Sequence, residues 1–402
     1  MALPSFRSSP KKALGLHIGA SQIRAVEIER VKGELRLLSL GWIETPSDAF
    51  IGSRMENPSI VASAVSRLLT SRNIRTKRAL ATVDANDTIA RTIVLPSMAK
   101  KDLRKAIIFE TEASLPSTGE DNILDYQILR VFQSAEDNSE QVEVLILSAQ
   151  RQHVVSIAEA MIQADLKPVA VDLTPVAAFR AEKRSDTYME KGEDLIMITI
   201  NDRCTDLTII HQGNVRLVRS LPIGSTNLLD ILGEKPLFDD RTDAMKAEQE
   251  KVEKEEQPEV PPEEQPFQTW DPFGGGQVPS AFGKPVGGGG GFSDLKDKGG
   301  FNRLENIITD LADETLNTIR YGQSFGKEQT EVRYAVIDGY FPFKDGFIST
   351  LKERLGLDVY PGDPFSSMDL SNPGIDEDLI NRFACNFSTA CGLALRGVGE
   401  HE

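Results

Sequence analysis

The sequence predicts an α/β protein of two similar halves, with an α+β subdomain inserted into the first half and a low-complexity insertion in the second. Three observations carry this. A strand–turn–strand–hairpin–strand pattern occurs twice, helices of 3.6-residue periodicity follow each copy, and one long stretch has a composition that cannot bury enough apolar surface to fold.

The first copy is "LGLHIGASQIRAVEIERVKGELRLLSLG", from Leu14, and the second is "IMITINDRCTDLTIIHQGNVRLVRSLPIG", from Ile196. Each reads as a strand, a tight turn, an alternating strand, a Gly-containing hairpin (Lys32-Gly33 and Gln212-Gly213) and a third strand. The segment "PSIVASAVSRLLTSRNI" spaces Ile60, Val61, Val65, Leu68 and Leu69 as one helical face. In "FNRLENIITDLADETLNTIRYGQSF", Leu304, Ile307, Ile308, Leu311, Leu316 and Ile319 do the same. A block from about Pro96 to Ala181 holds the helix "KKDLRKAIIFETEASL", the strands "NILDYQILRVF" and "QVEVLILSAQ", and a helix from Val154 to Ala164, and is expected as the inserted subdomain. The expected organisation is thus a flexible terminus (1–12), a first half (13–95), the subdomain (96–181) and a second half (182–402). Whether the closing helix of that second half returns to the first is left open.

Between about Asp239 and Gly300 an acidic, lysine-dotted run gives way to "DPFGGGQVPSAFGKPVGGGGGF". Residues 257–300 are read as a disordered insertion. Its Phe267, Trp270 and Phe273 are either a short docking motif or aromatic residues in a linker.

The chain has 402 residues and a formal charge of -16, which argues against a nucleic-acid partner because no basic stripe exists to neutralise phosphates. Lys11-Lys12, the "SRNIRTKR" around Arg72–Arg78, and Lys100-Lys101 with Arg104 are local clusters that read as solvated faces. Cys204, Cys385 and Cys391 are odd in number and widely spaced, so neither a disulfide framework nor a zinc site is indicated. No apolar run approaches the roughly 18 to 20 residues of a membrane span, so a soluble cytoplasmic protein is expected.

Several segments resemble the PilM family, the cytoplasmic actin-like proteins of type IV pilus assembly related to the division protein FtsA. They are "LGLHIGASQIRAVEIER", "KRALATVDANDTIARTIVLPSM", "LRKAIIFETEASLP…DNILDYQIL", "LKPVAVDLTPVAAFRA", "TDLTII…VRLVRSLPIGS" and "CNFSTACGLALRGV". Together they span nearly all the chain outside the insertion and the first dozen residues. The resemblance implies a duplicated actin-like, ribonuclease H-like fold. It also implies a cytoplasmic partner of a PilN-like inner-membrane protein, whose N-terminal peptide would hold it at the membrane.

In that superfamily both hairpin loops open on an aspartate that orders the water shell of magnesium, followed two residues on by a glycine that lets backbone amides reach phosphate. Here the aspartates are replaced by His17 and Thr199, and the second glycine by Asn201, whose side chain is expected to fill the path of a phosphate. A double-glycine turn that packs on adenine is replaced by Asp338-Gly339, which would place a negative charge beside the nucleotide. The remaining vestigial candidates are Gly19, Ser21, Gln22, Arg24, Thr205, Asp206, Lys246 and Gly339. Arg24 is either an anion-binding residue or a solvent-facing strand residue. His17 is either a metal ligand or general base, or a packed, hydrogen-bonded histidine left after the metal chemistry was lost.

Three functions compete: a scaffold that captures an extended peptide, an active ATPase or kinase, and a filament former. Loss of both loop carboxylates removes the magnesium-ordering groups and favours a pseudo-ATPase scaffold with no catalytic residue, no metal and no assigned cofactor; magnesium ATP is the one ligand left in question. The peptide is expected between the first half and the inserted subdomain, near Ile107, Ile108, Glu110, Glu112 and Leu115. The competing reading is that these apolar side chains fill the subdomain core.

Overall fold

Residues 11–52, 54–85, 88–112, 122–134, 137–191, 193–232, 300–324, 331–339 and 346–399 are described by the computed structural model. The expected insertion up to residue 299, the candidates Lys246 and Leu115, and most of the expected N-terminal segment lie outside them.

Alternation of apolar and polar residues makes β1 (Lys12–Ile18), β2 (Gln22–Val31) and β3 (Glu34–Glu44) an antiparallel meander. The turn from β2 to β3 is Lys32-Gly33, with φ of 53° and 96°, the paired positive values of a twist-matched two-residue hairpin. A small ribbon follows, β4 (Phe50–Ile51) with β5 (Arg54–Met55). Helix α1 (Pro58–Ser71) starts where the Asn57 side chain accepts from Ile60 N and proline occupies the first turn; it buries Val61, Val65, Leu68 and Leu69. Next come β6 (Arg78–Val83), β7 (Thr88–Pro96), α2 (Lys100–Glu112), β8 (Asn122–Gln133), β9 (Glu140–Gln150), α3 (Arg151–Gln163), β10 (Lys167–Leu173), α4 (Thr174–Glu182) and α5 (Asp186–Lys191).

The second copy gives β11 (Leu195–Ile200), β12 (Thr205–His211) and β13 (Asn214–Leu221), again antiparallel and again turned by positive φ, 50° at Gln212 and 74° at Gly213. Then follow α6 (Ser225–Leu232), α7 (Gly300–Ser324), β14 (Tyr334–Gly339), α8 (Phe347–Leu355), β15 (Asp358–Pro361), α9 (Glu377–Phe383) and α10 (Ser388–Gly397). Ile307, Ile308, Leu311 and Ile319 of α7 are buried, as their spacing requires.

Two sheets result. The first has the order β10-β6-β1-β2-β3, and the second the order β15-β14-β11-β12-β13-β7-β9-β8. Strand pairing therefore divides the expected 96–181 block. Strands β8 and β9 extend the second sheet through β7, whereas β10 pairs in parallel with β6 and lies in the first sheet. No strand was expected at Lys167–Leu173, because its pairing partner β6 is distant in sequence. The bridge from subdomain to second half is narrow, a single register pair, Leu217 with Arg91, supported by Thr92 Oγ1 donating to Arg216 O at 3.0 Å.

The closing helix α10 packs on the first half. A Cβ on Gly15 of β1 would lie 1.9 Å from Ala390 O, and one on Gly392 of α10 would lie 1.7 Å from Ala177 O in α4. Both glycines are there because backbone meets backbone. The subdomain has its own small core of Leu95, Leu103, Ile107, Val142, Val144 and Ile146.

Candidate functional site

The two hairpin loops face each other. In the first, Gly19 N donates to Gln22 O at 2.9 Å, and Thr45 braces the turn by donating Oγ1 to Gly19 O at 2.7 Å and N to Ser21 O at 2.9 Å. In the second, Asn201 N donates to Cys204 O at 2.9 Å. The start of α6 fixes that loop: Ser225 N donates to Asn201 O at 2.9 Å, Thr226 N to Asp202 O at 3.1 Å, and Thr226 Oγ1 to Asp202 O at 2.6 Å.

From this braced position Asp202 reaches across to the first loop. Its Oδ2 accepts from Ser21 N at 2.9 Å and Gln22 N at 3.3 Å, while Oδ1 lies 3.6 Å from Arg24 Nη2. Arg24 also donates to Gln22 Oε1 at 3.2 Å and stands 3.5 Å from His17 Nδ1. All of these side chains are buried, Arg24 to within 4% of full burial. Arg24 is therefore not a solvent-facing strand residue; it faces the cleft. Burial would raise the Asp202 pKa, but the Arg24 guanidinium and the Ser21 N–H hold it below the usual carboxylate value. Burial, and then Arg24, push His17 down to about 4, so at neutral pH it is an uncharged ring that can accept from the guanidinium.

Asn201 does not fill the cleft as expected. Its Nδ2 turns back to donate to Asp206 Oδ2 at 2.8 Å, because an unpaired buried carboxylate on the same hairpin is the stronger acceptor. Ser220 donates to the other oxygen of Asp206. Burial raises Asp206 to about 6 against those hydrogen bonds. Thr205 Oγ1 caps Ile223 O at 2.8 Å.

Asp338 on β14 sits beside Thr199 on β11 in the parallel register, fully buried. Burial pushes it up to about 7, with the Thr199 and Ser388 hydroxyls pulling the other way. The fixed negative charge expected there is thus a carboxyl poised between its two protonation states at neutral pH. Gly339 follows with φ 93°, where a Cβ would lie 2.1 Å from Ile200 O. Nearby, Glu182 is buried and raised to about 8; its Oε2 accepts from Asp363 N at 3.3 Å. Among the described residues no His, Cys, Asp and Glu side chains gather as a metal site.

A second feature lies between the subdomain and the first half. It is a groove of about 400 Å³ walled by Val83, Val154, Val171, Leu173 and Val176 on one side and by Ile123, Tyr126, Leu147 and Ala149 on the other. Asp172, Arg180 and Arg396 close one part of it, with Asp172 Oδ2 at 2.9 Å from Arg180 Nη1 and 2.7 Å from Arg396 Nη1. Strands β8 and β10 are edge strands of their sheets, and both line it.

The residues expected to meet a peptide lie apart from this groove. Ile107 is fully buried in the subdomain core, so it cannot meet a peptide; Ile108 is partly exposed, and neither it nor Glu110 lines the groove. The reason is that α2 turns its apolar face onto its own sheet. The Glu112 side chain and Leu115 lie outside the described residues. Sequence reasoning missed Asp202 and the groove residues. A signal for Asp202 was present in the duplication, since Gly19-Ala20 aligns with Asn201-Asp202 and the second copy thereby gains a carboxylate at the loop tip.

Two related halves, each opening on a β-hairpin loop that faces the other, define an actin-like fold. The chain matches the type IV pilus assembly protein PilM family over residues 15–268, and it belongs to that family. It is similar to the chain in the solved "PilM-PilN type IV pilus biogenesis complex" over 97% of its own length and 99% of that chain, with 21% identity and a TM-score of 0.71. Looser likeness extends to the ethanolamine utilization protein EutJ from Carboxydothermus hydrogenoformans, with 13% identity, 96% and 90% of the two chains covered and a TM-score of 0.46. A protein of actin-like ATPase fold and unknown function from Bacteroides thetaiotaomicron matches with 10% identity, 90% and 94% coverage and a TM-score of 0.40. No curated protein matches the sequence.

The residues in the cleft do not fit a magnesium nucleotide. Both loop positions that would order the metal's water are uncharged, and the amides that would receive a phosphate already hold Asp202.

Proposed function

We propose that this PilM-family protein is a scaffold of a type IV pilus or related assembly platform, holding an extended cytoplasmic N-terminal peptide of a PilN-like inner-membrane protein. The observation that carries this reading is the groove between β8 and β10. It combines apolar walls with two edge strands that, among the described residues, have no further strand paired to them, the combination that takes up an added strand. The solved complex that the chain matches is itself one of a PilM with a PilN, which supports the choice of partner. Among the described residues no helix is long and apolar enough to cross a membrane, so this partner would supply the attachment.

The same reading holds that the protein does not turn over ATP. Supporting it are the uncharged positions at His17 and Thr199 and the occupied first loop. The test titrates the protein calorimetrically with the N-terminal cytoplasmic peptide of a PilN-like inner-membrane protein. Micromolar binding with a negative heat-capacity change is expected, lost in Leu147→Arg. No heat at any temperature with folded protein overturns the scaffold reading. Magnesium-dependent ATP hydrolysis above background, abolished by Gly19→Val, overturns the pseudo-ATPase reading.

A further inference from the structure

We propose that the first hairpin loop is an oxyanion site whose occupant is the protein's own Asp202, a built-in substitute for a phosphoryl group that closes the cleft between the two halves without a ligand. Two consecutive amides, Ser21 N and Gln22 N, converge on Oδ2 at 2.9 and 3.3 Å, and Arg24 faces Oδ1 at 3.6 Å. Paired amides backed by a guanidinium are the donor set that receives phosphoryl or sulfate oxygens. Here they receive a carboxylate from a residue 180 positions away in the chain.

The fit is tight. A Cβ on Gly19 would lie 2.1 Å from Asp202 Oδ2, so the glycine whose absent side chain admits a phosphate in the superfamily admits Asp202 instead. The occupant is also anchored from behind. Thr226 holds the Asp202 carbonyl through both N and Oγ1, and Gly224 packs so closely that a Cβ there would lie 2.5 Å from the same carbonyl oxygen. A carboxylate so placed competes at high effective concentration, and an incoming anion must displace a charge already desolvated and paired. The loop therefore excludes phosphoryl ligands by being full, and its occupant ties the first sheet to the second. This holds whatever occupies the groove.

The probe is inorganic pyrophosphate, read by thermal unfolding of the full chain, with sodium chloride at matched ionic strength as control. Wild type is expected to show no shift. Asp202→Ala is expected to melt lower and to recover by about 3 °C or more in millimolar pyrophosphate, a gain removed by adding Arg24→Gln. Asp202→Asn keeps an oxygen toward the amides but loses the charge, and is expected to fold and gain a smaller shift; it decides the matter if the alanine variant does not fold. A wild-type shift equal to that of the variants, no anion response in a folded Asp202→Ala, or, where that variant does not fold, none in Asp202→Asn, overturns the proposal.

Discussion

Arg396, in the last turn of the closing helix, places Nη1 2.7 Å from Asp172 Oδ2 on β10, so that helix completes a groove built by the first half and the subdomain. Asp172 is buried, and burial acts to raise its pKa, yet Arg180 and Arg396 keep it below the usual carboxylate value. Asp172→Ala leaves two guanidinium groups facing each other and is expected to cost about 3–5 kcal/mol in urea unfolding. Arg396→Ala is expected to cost only about 1 kcal/mol, since Arg180 still neutralises the carboxylate and about a third of the Arg396 side chain is exposed.

The groove and α2 make opposite predictions. Ile107→Ala is expected to lose about 2–4 kcal/mol of stability while leaving peptide affinity intact in the folded fraction. Tyr126→Ala in the groove is expected to weaken the peptide at least tenfold with little change in the unfolding midpoint. Phe109, 70% exposed on α2, should change neither when replaced by Ser. Loss of binding in Ile107→Ala but not in Tyr126→Ala would return the peptide to α2.

Backbone contact between α10 and its supports gives a third prediction. Gly15→Ala and Gly392→Ala each force a methyl group to within 2 Å of a carbonyl oxygen, and each is expected to cost about 1–3 kcal/mol or to prevent folding. Gly52, with nothing within 4 Å of an added Cβ but a φ of 62°, should lose about 1 kcal/mol from backbone strain alone. Chemical denaturation of the three variants separates contact from conformation.

Stability should fall as pH rises through neutrality. Glu182, Asp338 and Asp206 are raised by burial to about 8, 7 and 6, so between their unfolded values and these the native state holds protons that the unfolded chain has released. Each such group lowers stability by at most about 1.4 kcal/mol per pH unit within its window. Asp172 and Asp202 act in reverse, stabilising above the usual carboxylate range and losing that contribution below it. His17, lowered to about 4, gains stability between that value and its ordinary one but offsets only one of the three declining groups, so maximum stability is expected near about pH 4, where the two sets of windows meet. Glu182→Gln and Asp338→Asn should each flatten the decline on the alkaline side and melt higher than wild type at about pH 8.5; an unchanged slope refutes the assignment.

Local chemistry made much of this fold legible. The two hairpins follow from Lys32-Gly33 and Gln212-Gly213, where positive φ is needed and tolerated, and α1 and α7 from apolar spacing alone. The residues singled out in the two loops lie on facing hairpins, with His17, Gly19 and Arg24 on one and Thr199 and Asn201 on the other. What was not legible depended on partners distant in sequence. Apolar spacing gave the helix around Ile107 an apolar side but not the strand β9 that covers it, and no strand was expected at Lys167–Leu173, whose neighbour β6 is distant in sequence. The reach of Asp202 is the same kind of fact: a charged residue after Asn201 reads as a solvated turn until the opposing amides are in place.

The narrow seam between β7 and β13 has a thermodynamic corollary. One wall of the groove belongs to the first sheet, and the other joins the rest of the second sheet through the Leu217–Arg91 pair, the Thr92–Arg216 hydrogen bond and the Arg216–Glu143 ion pair, while Asp202 links the two sheets at the loops. The groove and the Asp202 loop contact therefore both join the first sheet to the second. Linkage makes the coupling reciprocal: by whatever factor releasing Asp202 changes affinity for a peptide, peptide binding must change the ease of that release.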